Sequence, residues 1–247
     1  MDIIFLGVAG SGKTSLVKAF SDWLRKKEKS VACINFDPGI ETLPYFAEFD
    51  IRKFFTIEEI MRKEKLGPNG ALIKAIEKIR EMKDKIKSEI DKLDVEFRLI
   101  DLPGQLEPFI FHGGEEIVKI FNFKRCIGLF LIPAEMFNPI GIAIAELLSL
   151  IVRLKLEIPT INVLSKIDLS KNVSEVEGFL KNPKILRKVL ENIRGGVEKD
   201  LAISITKVIE RIIREQRIVK TSAKTLEGLE DLYDVCYEIF CTCGDLR

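Results

Sequence analysis

The residues Gly7-Val8-Ala9-Gly10-Ser11-Gly12-Lys13-Thr14 constrain this chain more than any other stretch of it. They follow the apolar run Ile3-Ile4-Phe5-Leu6 directly. They precede Leu16, Phe20 and Leu24, which recur at helical spacing through Lys27. A strand, a glycine-rich turn and a helix in that order make a cradle for a phosphate chain. The glycines let backbone amides turn toward phosphate oxygens without Cβ interference. Residues Gly10 to Thr14 can wrap the phosphates, and Lys13 can reach the β and γ oxygens of a triphosphate. Thr14 offers a hydroxyl to Mg²⁺, and Ser15 lies in the first turn of a helix whose N-terminus favours anions.

The length of 247 residues suits one large α/β domain with an ample core. With 47% hydrophobic and 31% charged residues, the composition is that of a globular protein. The formal net charge of +1 supplies no bulk basic field for nucleic acid or anionic membrane. Apolar stretches break well before the length of a membrane span, and a strand begins too early to leave room for a leader. A cytoplasmic location is the expectation. Cys241 and Cys243 form a Cys-x-Cys near the end, beside a single histidine, His112. Four ligands for zinc are hard to assemble from that set, so free thiols are expected.

Apolar runs at Ile3–Leu6, Val31–Phe36, Val95–Ile100, Cys126–Ile132, Thr160–Leu164 and Arg217–Thr221 read as strands. Helices are expected over 13–28, 56–65, 71–93, 114–123, 138–156, 183–214 in pieces, and 226–240. This alternation predicts a three-layer α/β fold with a mainly parallel central sheet flanked by helices, in one domain over 1–247. Helical insertions fall at about 51–94 and 170–215. A ligand then lies at the carboxyl ends of the strands, and each remaining motif follows a strand.

The run ending in Ile100 leads into Asp101-Leu102-Pro103-Gly104-Gln105. Beside a phosphate cradle, an aspartate here holds Mg²⁺, usually through water, and the Gly104 amide can sense a γ-phosphate. Gln105 or Glu107 can orient an attacking water. The second run ends in Asn35-Phe36-Asp37-Pro38-Gly39, which aims Asp37 at the same sheet edge. Ser165-Lys166-Ile167-Asp168 offers a carboxylate that can accept from N1–H and N2–H₂ of guanine, with the Lys166 stem over the base. Thr221-Ser222-Ala223-Lys224 provides backbone amides, at Ser222 and Ala223, for the guanine O6. Both motifs in the correct order favour GTP over ATP. Ser165 stands where the usual guanine signature has Asn, and a shorter hydroxyl reaches less of the base edge.

One feature remains, Gly67-Pro68-Asn69 within Leu66-Gly67-Pro68-Asn69-Gly70-Ala71. It lies downstream of Asp37-Pro38 and Leu43-Pro44-Tyr45, and upstream of Asp101 to Glu107. This ordered set resembles the GPN-loop GTPases, from residue 1 to the Cys241-Thr242-Cys243 tail. The short chain is more similar to archaeal members than to eukaryotic ones. The resemblance implies GTP hydrolysis to GDP with Mg²⁺, in the parallel-sheet branch of P-loop proteins that holds the signal recognition particle GTPases and MinD-like ATPases. It also implies a homodimer in which each Gly67-Pro68-Asn69 loop reaches the partner's site, with Asn69 acting in trans. MinD-like ATPases carry an extra Lys near the start of the loop, where this chain has Val8. Gly39 replaces a usual Ala, and Leu102 a common Thr.

The expected mechanism follows from these residues. Asp37 with Gln105 or Glu107 positions water, Lys13 and Asn69 offset developing charge, and Thr14 and Asp101 hold the metal. No arginine finger is evident, so slow intrinsic turnover is expected. The alternative is an assembly scaffold in which hydrolysis only resets shape. Eukaryotic relatives suggest RNA polymerase or an assembly factor as client, by resemblance alone. Transfer of phosphate to a small molecule would need an acceptor site that the sequence does not show.

Overall fold

The computed structural model describes residues 1–121, 125–135, 138–193, 195–212 and 217–244. Its centre is a seven-stranded sheet of β1 (Asp2–Leu6), β2 (Val31–Asn35), β3 (Phe49–Asp50), β4 (Phe97–Asp101), β5 (Cys126–Pro133), β6 (Thr160–Ser165) and β7 (Ile218–Lys220). The spatial order is β3-β2-β4-β1-β5-β6-β7, and every pairing is parallel. The central strand β1 pairs Ile4 with Ile100 on one side and Gly128 on the other. Parallel strands covered on both faces read as continuous apolar runs, which is why these segments stand out in the sequence.

Successive side chains of β1 point to opposite faces, and this divides the interior into two layers. Ile3 and Phe5 pack with Leu16, Val17, Phe20 and Leu24 of α1 (Lys13–Lys26) and with Leu229, Leu232 and Val235 of α11 (Leu229–Gly244). Ile4 and Leu6 face the other layer. That layer is built from α2 (Ile57–Glu64), α3 (Pro68–Glu81), α4 (Lys83–Asp91), α5 (Leu106–Phe111) and α6 (Gly114–Val118). It continues through α7 (Pro139–Leu156), α8 (Val173–Lys181), α9 (Pro183–Asn192) and α10 (Val197–Ile212). The result is the three-layer α/β architecture.

Several boundaries differ from the sequence expectation. The helix expected over 71–93 is two helices, α3 and α4, that meet at Met82. Met82 leaves helical geometry at φ −98°, ψ 6°, and the bend lets Ile86 and Ile90 reach the same core as Ile76 and Ile79. Helix α3 also starts earlier, because Gly67 is its N-cap and Pro68 its first residue, where a fixed φ suits a helix start. The preceding helix ends in left-handed Lys65, where its end was expected. The two-residue edge strand β3 and the six-residue α5 are too short to show a period. Helix α6 ends at Val118, and 122–124 lie outside the described residues. Helix α11 runs on to Gly244, so the backbone of Cys241 and Cys243 is helical while their side chains lie outside the described residues. Cys33, Cys126 and Cys236 are buried free thiols.

Candidate functional site

The site is assembled at the carboxyl ends of β1, β2, β4 and β6. Between β1 and α1 the phosphate loop holds Gly7, Gly10 and Gly12 at φ of 137°, 77° and 93°. At Gly7 a Cβ would lie 2.8 Å from both the Leu131 carbonyl oxygen and Ser11 Oγ, so only glycine fits. The Lys13 ammonium is buried and donates to the carbonyls of Gly7 at 2.8 Å and Val8 at 3.1 Å. Burial lowers its pKa, while Asp101 and Asp37 pull the other way. Lys13 is thereby folded over the rim of the loop, beside the two carboxylates. Ser11 is fully buried, and its hydroxyl faces inward with no hydrogen-bond partner.

Asp101 closes β4 beside this loop at 1% exposure. Its Oδ2 accepts from the Tyr45 hydroxyl at 2.9 Å, while Oδ1 is buried without a hydrogen-bond partner. Burial pushes the Asp101 carboxyl up to about 6, and the neighbouring Thr14 and Tyr45 hydroxyls hold it back. Hydroxyl and carboxylate oxygens are the donors Mg²⁺ prefers, and one of them lacks any other partner. Thr14 and Asp101 therefore fit that ion. Asp37 lies on the adjacent strand end. Its Oδ1 accepts from the Gly39 amide at 2.8 Å and its Oδ2 from the Gly104 amide at 3.3 Å. Burial raises its pKa, opposed by those two amides and by Lys13 and Arg52.

The opposite end is a cavity of about 510 Å³. Gly12, Ser15, Lys166, Asp168, Thr221 and Ala223 line it next to the phosphate loop. The Ser222 amide expected to meet the guanine O6 instead donates to the Glu227 carbonyl at 3.0 Å, because the turn after β7 closes on itself there. Lys166 adopts φ 56° and its stem passes over Gly12, while its ammonium bonds Glu135 Oε1 at 2.6 Å. The Asp168 carboxylate accepts from Ser222 Oγ at 2.6 Å, and Ser222 Oγ in turn accepts from the amides of Lys224 and Thr225. Ser222 thus acts on Asp168 through its side chain. Ser165 is buried, and its hydroxyl donates to the Ser11 carbonyl at 2.8 Å. Ser165 lines the base cavity too, but its hydroxyl is spent on a tie between β6 and the phosphate loop.

A second cavity, of about 520 Å³, lies on the other side of the loop. Val8, Asn69, Gly104, Gln105, Glu107 and Phe111 are among its walls. Gly67, Pro68 and Asn69 are exposed at the start of α3, and Gln105 and Glu107 are exposed beside α5. Asn69 therefore shares a wall with the Gly104 loop of its own chain.

Sequence reasoning gave Pro44 and Tyr45 no role beyond the family pattern. Pro44 lines the base cavity and Tyr45 binds Asp101. The chain between β2 and β3 that carries them is irregular, and irregular backbone leaves no period to read. The buried network that shapes it was equally invisible. Asn35 Nδ2 donates to Asp50 Oδ1 at 2.9 Å, and the Arg52 guanidinium bonds both Asp50 oxygens and the carbonyls of Ile40 and Glu41.

Known proteins of the same build exist. A family profile described as "Conserved hypothetical ATP binding protein" matches residues 5–242. The chain is 34% identical to the GPN-loop GTPase PAB0955 of Pyrococcus abyssi over the full length of both proteins. GPN-loop GTPase 2 of Saccharomyces cerevisiae is 32% identical over 247 residues, covering 94% of this chain and 71% of the yeast protein. The crystal structure of the Pyrococcus abyssi protein, a GTPase in apo form, matches with a TM-score of 0.85 at 32% identity, covering 98% of each chain.

Proposed function

The chain belongs to the GPN-loop GTPase family, and from that premise we propose that it hydrolyses GTP to GDP at the loop between β1 and α1, as one half of a homodimer. The observation that carries this reading is the single cavity joining Gly12 and Ser15 to Lys166, Asp168 and Ala223. It sets a base-reading carboxylate at one end of a phosphate cradle. The Asp168 carboxylate can accept two hydrogen bonds from guanine N1–H and N2–H₂. Adenine offers a bare N1 there, so an ionised acceptor disfavours it. Ser222 fixes the direction of that carboxylate.

Amides of Gly10 to Thr14 would bind the β-phosphate, with Lys13 moving from the loop carbonyls to the β and γ oxygens. The Thr14 hydroxyl and, through water, Asp101 would hold Mg²⁺, which when bound supplies positive charge to the phosphate oxygens. Asp37 with Gln105 or Glu107 would align water with the γ-phosphorus, the Gly104 amide facing the γ-phosphate. Gln105 and Glu107 share a wall with Asn69, which favours them as the groups that face the incoming water. The chain has buried free thiols and, among the described residues, no helix long and apolar enough to cross a membrane. Both agree with a cytoplasmic setting.

A homodimer would complete the set of hydrogen-bond donors around the γ-phosphate. Val8 brings no cation to the γ-phosphate, and Asn69 of a second copy would offer its amide from across the interface. The exposed Phe111 ring, 58% accessible at the mouth of the Asn69 cavity, gives that face an apolar contact. The alternative is action in cis, which the shared wall of Asn69, Gly104 and Gln105 favours. Mixing Lys13→Ala and Asn69→Ala chains separates the two. Action in trans restores turnover in the mixture, because one site then combines an intact Lys13 with the partner's Asn69. Action in cis leaves both sites dead. Base choice is read from phosphate release with GTP, ATP and XTP. Asp168→Asn should lose GTP and gain XTP, because the amide donates to the xanthine O2. A variant that keeps its GTP preference would overturn the assignment of Asp168.

A further inference from the structure

The segment from Ile40 to Glu48 is tied at both ends. Arg52 Nη1 donates to the carbonyls of Ile40 and Glu41, each at 3.0 Å. At the far end the Glu48 carboxylate accepts from the Cys33 amide at 2.6 Å and pairs with Arg25 at 3.3 Å, and the Glu48 amide donates to the Cys33 carbonyl at 2.9 Å. Between these anchors two neighbouring residues point to different parts of the site. Pro44 lines the cavity that also holds Lys166 and Asp168. Tyr45 packs against the α1 side of the core and places its hydroxyl 2.9 Å from Asp101 Oδ2.

We propose that residues 40–48 form a strap across the nucleotide, and that Tyr45 is a positioning residue for the metal-side carboxylate. The inference rests on the assignment of Asp101 to Mg²⁺ given above. A carboxylate at the end of a strand can rotate about its last bond. The Tyr45 hydroxyl engages Oδ2 and so leaves Oδ1, buried and without a hydrogen-bond partner, as the oxygen open to the metal. Phenol donates only one proton, so the arrangement is one-sided by construction. Pro44 borders the base cavity while Tyr45 holds Asp101, so the same short segment touches both ends of the site.

Tyr45→Phe removes the hydroxyl and keeps the ring that packs in the core. Affinity for a fluorescent GDP analogue is measured with saturating Mg²⁺ and again in EDTA, and the half-saturating Mg²⁺ concentration is titrated directly. In Tyr45→Phe the Mg²⁺ requirement should rise by about tenfold, the scale of losing one hydrogen bond to a charged group. Affinity in EDTA should match the wild type, and so should the melting temperature to within a few degrees. An unchanged Mg²⁺ requirement overturns the role of Tyr45. An equal loss of affinity with and without Mg²⁺ also overturns it, since that marks a packing role for the strap. Wild-type protein whose affinity ignores Mg²⁺, or Asp101→Asn that retains the full Mg²⁺ effect, overturns the metal assignment itself and the proposal with it.

Discussion

Asp37 at the end of β2 accepts a hydrogen bond from the backbone amide of Gly104, 67 residues further along the chain, at 3.3 Å. Its second oxygen holds the Gly39 amide at 2.8 Å. One carboxylate thus latches the turn after β4 to the turn after β2. In a site where the Gly104 amide faces the γ-phosphate, the latch and the phosphate compete for the same N–H. Release of Gly104 frees Asp37 to accept from water instead.

Asp37→Asn keeps the volume and one acceptor oxygen but removes the charge. Turnover should fall on the order of 10²-fold, while GDP affinity stays within about threefold, because the change falls on the step and not on the cradle. Single-turnover phosphate release beside equilibrium GDP binding checks this. Parallel loss in both measurements would make Asp37 a structural latch alone.

Ser165→Ala deletes the 2.8 Å bond to the Ser11 carbonyl in a fully buried place. The expected cost is about 1 kcal/mol of stability, the usual size for a lost buried hydrogen bond. GTP affinity should drop several-fold through a looser loop, with ATP and ITP affected in the same proportion. A selective loss of GTP over ITP would show that Ser165 touches the base after all. Thermal melts and competition binding give both readings.

Glu146 is buried on α7 with neither oxygen hydrogen-bonded. Burial alone pushes its carboxyl from an ordinary 4.5 up to about 8. The folded protein therefore binds a proton that the unfolded chain has released between those values. Stability from this group is complete below pH 4.5 and is lost as pH rises toward 8. Glu146→Gln should remove that slope. Its melting temperature should match the wild type near pH 4.5 and exceed it at pH 8, by on the order of a few kcal/mol in stability. A constant offset across that range would contradict the buried acid.

The phosphate loop, the alternation of strands and helices, and the order of the motifs at successive strand ends are legible in the residues alone. Those features are local. A glycine-rich turn at Gly7 to Gly12 and a run of apolar residues in β5 declare themselves within a few positions. Six of seven strands, all but β3, could be read that way. Tertiary structure alone decided which side chains meet. Ser165 reaches the phosphate loop across 154 residues, and Tyr45 reaches Asp101 across 56. No spacing in the chain records either bond, because both depend on how β1, β2, β4 and β6 line up in the sheet. The break at Met82 was likewise set by packing on the core, where the stripe from Leu72 to Ile90 continues across a bend. Periodicity reports which face is buried, and burial against a curved neighbour decides where the helix must turn.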